Sequence, residues 1–145
     1  MPTNQHHLRL PSTLAGLEHA AGELRDLLAA RRVDGKLRYN VELAFEEVVA
    51  NIVRHGSPTG DIEVTIGFGA DDIVMTFEDD GVPFDPRERP DPVEPASIED
   101  AQVGGLGIVL LRRIPTRMAY ERTPQHRNVL TLAMAARPEE AGRTC

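Results

Sequence analysis

Lysine is nearly absent from this chain of 145 residues. Lys36 stands alone, and the other fifteen of its sixteen basic side chains are arginines. GC-rich codon usage is sufficient reason for the bias. The pattern G-x-x-x-x-G-K-[ST] is missing, so no lysine-bearing phosphate loop is available. Any triphosphate would have to be held by backbone amides, arginines and a metal. Cysteine is as scarce: Cys145 is the only one, which excludes intramolecular disulfides and cysteine-rich zinc sites. It closes a polar tail, 137–145. No apolar run approaches the ~20 residues needed to span a membrane, and residues 1–7 are no signal peptide. A soluble, cytoplasmic protein without a membrane partner is the expectation. A net charge of −7 and a pI near 5.2 make nucleic acid an unsuitable direct partner. His6, His7, His19, His55 and His126 lack metal-ligand spacing, and His55 falls where a cation complements a helix dipole.

What is present has two periods. Apolar residues recur at helical spacing over 13–32 (Leu14, Leu17, Ala21, Leu24, Leu28), with Asp34-Gly35 as the expected stop. They recur again over 36–55 (Leu37, Val41, Phe45, Val48, Ile52), with Gly56 as the expected cap and Pro58 beyond. The period then changes to two. Ile62, Val64, Ile66 and Phe68 alternate, as do Ile73, Met75 and Phe77, so a hairpin turns at 69–72. Strands are also expected at 7–10, 118–121 and 129–134, the last two around a Thr123-Pro124 turn. A short apolar helix is expected at 106–114. These elements predict an α+β two-layer sandwich in one domain, 1–136: a mixed, mostly antiparallel sheet of about five strands with three helices on one face. Between 85 and 103 periodicity fails, and the stretch holds four prolines at 86, 90, 92 and 95 and six acids. A loop this long in a compact domain is usually functional or disordered.

Three local patterns carry chemistry. On the second helix, Glu47 and Asn51 are four apart and share a face. Solvated helix surface is the common reading of such a pair. Glu46 is the weaker candidate, because Ala50 stands one turn beyond it where Asn51 stands beyond Glu47. Next, the third strand runs into Asp79-Asp80-Gly81-Val82-Pro83-Phe84-Asp85-Pro86. An Asp-Gly turn is often neutral, but a carboxylate at a strand end can accept a hydrogen bond from a base amine. Gly81 would let backbone pass close to that base. Third, Gly104-Gly105-Leu106-Gly107 opens an apolar helix, and free amides at a helix N-terminus favour phosphate.

The order and spacing of these motifs, over nearly the whole chain from Leu8 to Met134, resemble the GHKL or Bergerat-fold superfamily. That superfamily includes gyrase, histidine kinases, the heat-shock chaperone and the mismatch-repair ATPases. Many sensor kinases carry a second glycine two residues after the first; here Pro83 takes that place. The pattern D-x-G-x-x-F-D-P instead resembles the stand-alone anti-sigma factor serine/threonine kinases. The resemblance implies ATP and Mg²⁺ as cofactors. It implies that Asn51 ligates Mg²⁺ through its carbonyl oxygen and that Glu47 is the general base. Asp79 and Gly81 would take the adenine, and Gly104, Gly105, Leu106 and Gly107 the phosphates. Residues 85–103 would form an ATP lid, where Arg87 and Arg89 are solvated or touch phosphate. A sigma factor, sequestered by binding, and an anti-sigma factor antagonist, phosphorylated on serine, would be the partners, and relatives suggest a homodimer. Two other classes stay open at this point. One is a histidine-kinase-like catalytic module acting in trans; the other is a non-catalytic protein that clamps nucleotide or sigma factor.

Overall fold

The structure, a computed structural model, describes residues 4–56, 58–86 and 114–135. Strand alternation builds its core. Strands β1 (Gln5–Leu10), β2 (Ile62–Phe68), β3 (Asp72–Asp79), β4 (Arg117–Arg122) and β5 (Asn128–Ala135) form one sheet in the order β1-β2-β3-β5-β4. Every pairing is antiparallel, where a mixed, mostly antiparallel sheet was expected. Because side chains alternate, one face collects Leu8, Leu10, Ile62, Val64, Ile66, Ile73, Met75, Phe77, Leu130, Leu132 and Met134, all buried in a single cluster. The opposite face is polar and bears a ladder in which Arg127 pairs with Glu78 at 2.9 Å and Glu63 at 3.3 Å.

Two helices, α1 (Leu14–Ala30) and α2 (Gly35–Asn51), cover the apolar face. They bring Leu24, Leu28, Val41, Phe45 and Val49, each fully buried, down onto the sheet. The Phe45 and Phe77 rings lie 6.0 Å apart across this interface. Burying one such side chain is worth roughly 1.5–3 kcal/mol, so the helix–sheet interface is the main source of stability. The expected two-layer α+β sandwich is thus the observed one.

Both helix ends differ from the expectation, for local reasons. Thr13 caps α1 rather than beginning it, accepting from the Gly16 amide at 2.9 Å. The helix stops at Ala30, because Arg32 enters the left-handed region (φ 54°) and the Val33 amide turns back to the Leu28 carbonyl at 3.1 Å. Asp34 does not stop α1 but starts α2, accepting from the Lys36 and Leu37 amides. At its far end α2 gives way at Ile52 to a single π-turn, Ile52–Gly56, where a regular helix to His55 was expected. The Ile52 amide is already shared between the Val48 and Val49 carbonyls there. Of the expected third helix only Ile114 is described, and of the expected lid only residues 85 and 86; the remainder of both, and the tail 137–145, lie outside the described residues. Among the described residues no helix is long and apolar enough to cross a membrane.

Candidate functional site

Three apolar rows of the sheet end in polar groups at the same edge. On β3 the core-facing row Ile73, Met75, Phe77 continues to Asp79. On β5 the row Leu130, Leu132, Met134 is preceded by Asn128. On β4 the row is Met118, Tyr120, Arg122. The register sets Asp79 opposite Asn128, and Asn128 opposite Arg122. Asp79 and Asn128 are only 3% and 5% exposed, so each must find partners inside.

They find them in one network. Asp79 Oδ1 accepts from the Gly81 amide at 2.8 Å and from Asn128 Nδ2 at 3.1 Å. Asn128 Nδ2 also reaches the Val82 carbonyl at 2.8 Å and the Gly81 carbonyl at 3.4 Å. On its other side, Asn128 Oδ1 accepts from the Tyr120 hydroxyl at 2.5 Å and from Arg122 Nη1 at 3.1 Å. Arg122 Nη1 donates to the Gly81 carbonyl at 2.6 Å as well. The 79–82 turn is therefore fastened to the sheet from three directions.

The π-turn closes the site from the helix layer. The Gly56 carbonyl accepts from the Val82 amide at 2.8 Å, which lays the turn after β3 against the end of α2. Gly81 is required by this approach: a Cβ there would collide with the Gly56 carbonyl oxygen and crowd Asp79 Oδ1. Gly81→Ala is expected to lower stability by ~1–3 kcal/mol, and a thermal melt checks it. Single π-turns inside α-helices occur often at functional sites. Here the turn directly follows Asn51, which is 8% exposed and whose buried Nδ2 has no hydrogen-bond partner among the described residues.

Between these elements lies a cleft that opens to solvent, lined by Val48, Ile52, Phe77, Leu130 and Pro86 with Asn51, Asp79, Tyr120 and Asn128 among the polar groups. Apolar walls with a few convergent polar groups are the usual form of a small-molecule site. Walls of this kind suit an apolar or flat aromatic ligand, and Asp79 offers an acceptor at their edge. The residues also fit a metal carried in with a ligand. Among the described residues Asn51 Nδ2 has no partner, and the same amide carries a carbonyl oxygen, a hard donor of the kind Mg²⁺ takes. Among the described residues no cluster of three His, Cys, Asp or Glu could hold an ion by itself, so ligand oxygens would complete the shell.

Glu47 sits one helical turn before Asn51, half-buried, and is not part of the cleft lining; Glu46 beside it is exposed. Burial pushes the Glu47 carboxyl above its ordinary range, with Arg54 opposing the shift and Glu46 adding to it. Asp80 turns away from Asp79 to hold the loop after α2. It accepts from the Thr59 hydroxyl at 2.5 Å, the Thr59 amide at 2.9 Å and the Gly60 amide at 3.2 Å. The Thr59 hydroxyl above all, then the Gly60 amide, lowers its pKa below the ordinary 3.8. A lowered folded-state value stabilises the fold above the unfolded value and ceases to do so as pH falls through the folded one. The Tm deficit of Asp80→Asn is therefore expected in full at neutral pH and to shrink in acid. A deficit independent of pH in thermal melts would contradict this role.

Of the residues expected from the sequence, Asn51 and Asp79 meet in the cleft, Gly81 lies beneath it, and Glu47 stands one turn away. Gly104, Gly105, Leu106 and Gly107, with Arg87 and Arg89, lie outside the described residues. Sequence reasoning missed Asn128, Tyr120 and Arg122. For Asn128 the signal was present, a polar residue at the head of an otherwise apolar row; Tyr120 and Arg122 share a row with only Met118 apolar.

A cleft with a buried acid at a strand end, an orphaned amide at a helix end and a glycine turn between them has known relatives. The family model described as a histidine kinase-like ATPase domain matches residues 10–134. The chain belongs to that family. Within it the chain is similar to the serine/threonine-protein kinase BtrW of Bordetella bronchiseptica, at 33% identity over 126 residues, covering 85% of this chain and 83% of that one. Solved structures share the fold. The SiaB–SiaC complex of Pseudomonas aeruginosa aligns with a TM-score of 0.67 at 17% identity, over 89% of this chain and 88% of that one. A chain holding the RsbU and RsbW domains of a Mycobacterium tuberculosis protein aligns with a TM-score of 0.66 at 20% identity; it covers 94% of this chain, which spans 34% of it. The family read from the three motifs is the one found.

Proposed function

We propose that this protein is an ATP-dependent protein serine/threonine kinase that sequesters a sigma factor and phosphorylates a serine of an anti-sigma factor antagonist. One observation carries the nucleotide part: a buried carboxylate, Asp79, and an orphaned amide, Asn51, share one apolar cleft. The kinase part is supported by the 33% identity to a protein named as a serine/threonine kinase. The partner part is supported by the sequence pattern D-x-G-x-x-F-D-P and by a structural neighbour solved in complex with a second protein.

In this reading the cleft walls exclude water from the base, and Asp79 accepts a hydrogen bond from its amine. Asn51 would hold Mg²⁺ through its carbonyl oxygen, and such an ion would supply charge compensation for the phosphoryl group. Glu47 takes the proton of the attacking serine hydroxyl. Its pKa, raised by burial, makes it a better proton acceptor than an ordinary carboxylate. Gly104, Gly105, Leu106 and Gly107 are proposed to meet the phosphates with backbone amides.

The test captures partners from the native cell with and without ATP, then incubates them with labelled Mg-ATP and the protein. Acid-stable label on a partner is expected. Acid-labile label would move the protein to the histidine kinase class. Nucleotide binding with no transfer to any captured partner would leave a non-catalytic clamp.

A further inference from the structure

Asp79 alone does not explain a preference for one purine. A carboxylate with both oxygens free also suits guanine, whose edge presents two parallel donors, N1–H and the 2-amino group. Here one oxygen is already engaged. Asp79 Oδ1 accepts two hydrogen bonds, from the Gly81 amide at 2.8 Å and Asn128 Nδ2 at 3.1 Å, which fill its two lone-pair directions. Among the described residues Oδ2 receives no hydrogen bond and is left for a ligand.

The orientation of the Asn128 amide is determined by its neighbours. Arg122 can only donate, so the amide oxygen must face it at 3.1 Å. The Asp79 carboxylate and the Val82 carbonyl can only accept, so the NH₂ must face them. The Tyr120 hydroxyl donates to the same amide oxygen and accepts from the Phe84 amide at 3.3 Å. The donor aimed at Asp79 Oδ1 cannot be exchanged for an acceptor by an amide flip.

We propose that Asn128, oriented by Tyr120 and Arg122, sets the base preference of the cleft by saturating one oxygen of Asp79, so that adenine is accepted and guanine is rejected. The proposal rests on the nucleotide reading given above. Adenine offers a single amine donor beside a ring acceptor and needs one oxygen. Guanine would bring a second N–H to Asp79, whose Oδ1 already holds two donors. A buried donor left unpaired costs the full desolvation of the group, enough for about a tenfold or larger loss of affinity.

The test is calorimetric titration of ADP and of GDP into the intact protein. The wild type is expected to bind ADP about tenfold or more tightly than GDP. Asn128→Ala opens a lone pair on Oδ1 and is expected to shrink the ADP-to-GDP ratio about tenfold, chiefly through a gain in GDP affinity. Tyr120→Phe keeps the ring, loosens the Asn128 amide and removes an acceptor of the Phe84 amide; it is expected to shift the ratio in the same direction by less. It serves if Asn128→Ala does not fold. A residue that merely supported the turn would weaken both ligands together and leave the ratio unchanged; an unchanged ratio in every variant that folds overturns the proposal. Equal binding of ADP and GDP by the wild type overturns it while sparing the nucleotide reading. Binding of neither removes both.

Discussion

Replacing Glu47 with alanine is expected to leave nucleotide affinity near that of the wild type and to slow phosphoryl transfer about 10²- to 10⁴-fold. Glu47 does not line the cleft, so its removal takes nothing from the base or the Asn51 amide. In the proposed role its contribution would fall in the transition state, when the serine hydroxyl loses its proton. Because burial raises its pKa, the transfer rate in the wild type should climb with pH through a midpoint above the ordinary glutamate value of 4.5. The sign follows from the role: a base acts deprotonated, so activity falls as acid protonates it. Glu47→Gln should abolish that limb of the profile along with the activity. Glu46→Ala should do neither, since Glu46 is exposed. Transfer that survives in Glu47→Ala but fails in Glu46→Ala, measured under the same conditions, would assign the base to the other residue.

The second large effect is on binding. Asp79→Ala removes the carboxylate proposed to accept from the base amine, and hydrogen bonds to a charged group are worth roughly 1.5–3 kcal/mol, so ADP affinity should drop about tenfold or more. The same substitution strands the Gly81 amide and takes one of its acceptors from Asn128 Nδ2. Some loss of stability is therefore expected too, and a second variant separates the two effects. Asp79→Asn keeps the shape and an oxygen for the Gly81 amide, but it can turn an NH₂ toward the ligand's own amine. It should remain folded and still bind ADP weakly. Full affinity in a folded Asp79→Asn protein, read by calorimetry, would take Asp79 out of the base site.

The sheet was legible because its rows are regular. Ile62 to Phe68 and Ile73 to Phe77 alternate without interruption, and the link between them is too short for anything but a hairpin. The same rule, carried two residues further, distinguishes Asp79 from Asp80: parity places the first on the buried face and the second off it. It also marks Asn128, whose row continues as Leu130, Leu132 and Met134. Those polar ends escape attention in a sequence because a strand's edge is where polar residues are ordinary. Only the register, which sets Asp79 against Asn128 and Asn128 against Arg122, makes them one network.

The helix ends were less legible. Asp34-Gly35 reads equally as a stop or a start, and the choice is made by Arg32 entering the left-handed region, where a glycine would be ordinary. The π-turn at Ile52–Gly56 has no local signature. It depends on the Val82 amide, 26 residues beyond Gly56 in the chain, meeting the Gly56 carbonyl at 2.8 Å. The pair Glu47 and Asn51 was visible from spacing alone. The separation of their surroundings, one half-buried beside Arg54 and the other an orphaned amide in the cleft, depends on contacts that spacing does not encode.

The most direct test of the central claim is where an adenine nucleotide binds. Amide chemical shifts of isotope-labelled protein, followed while Mg-ADP is added, should move in a saturable way around Asn51, Gly56, Asp79 to Phe84 and Asn128. Residues around a second, shallower cavity at the opposite end of the sheet, including Phe68 and Asp71, should stay still. Saturable shifts confined to that far end, or none at any concentration, would contradict the account.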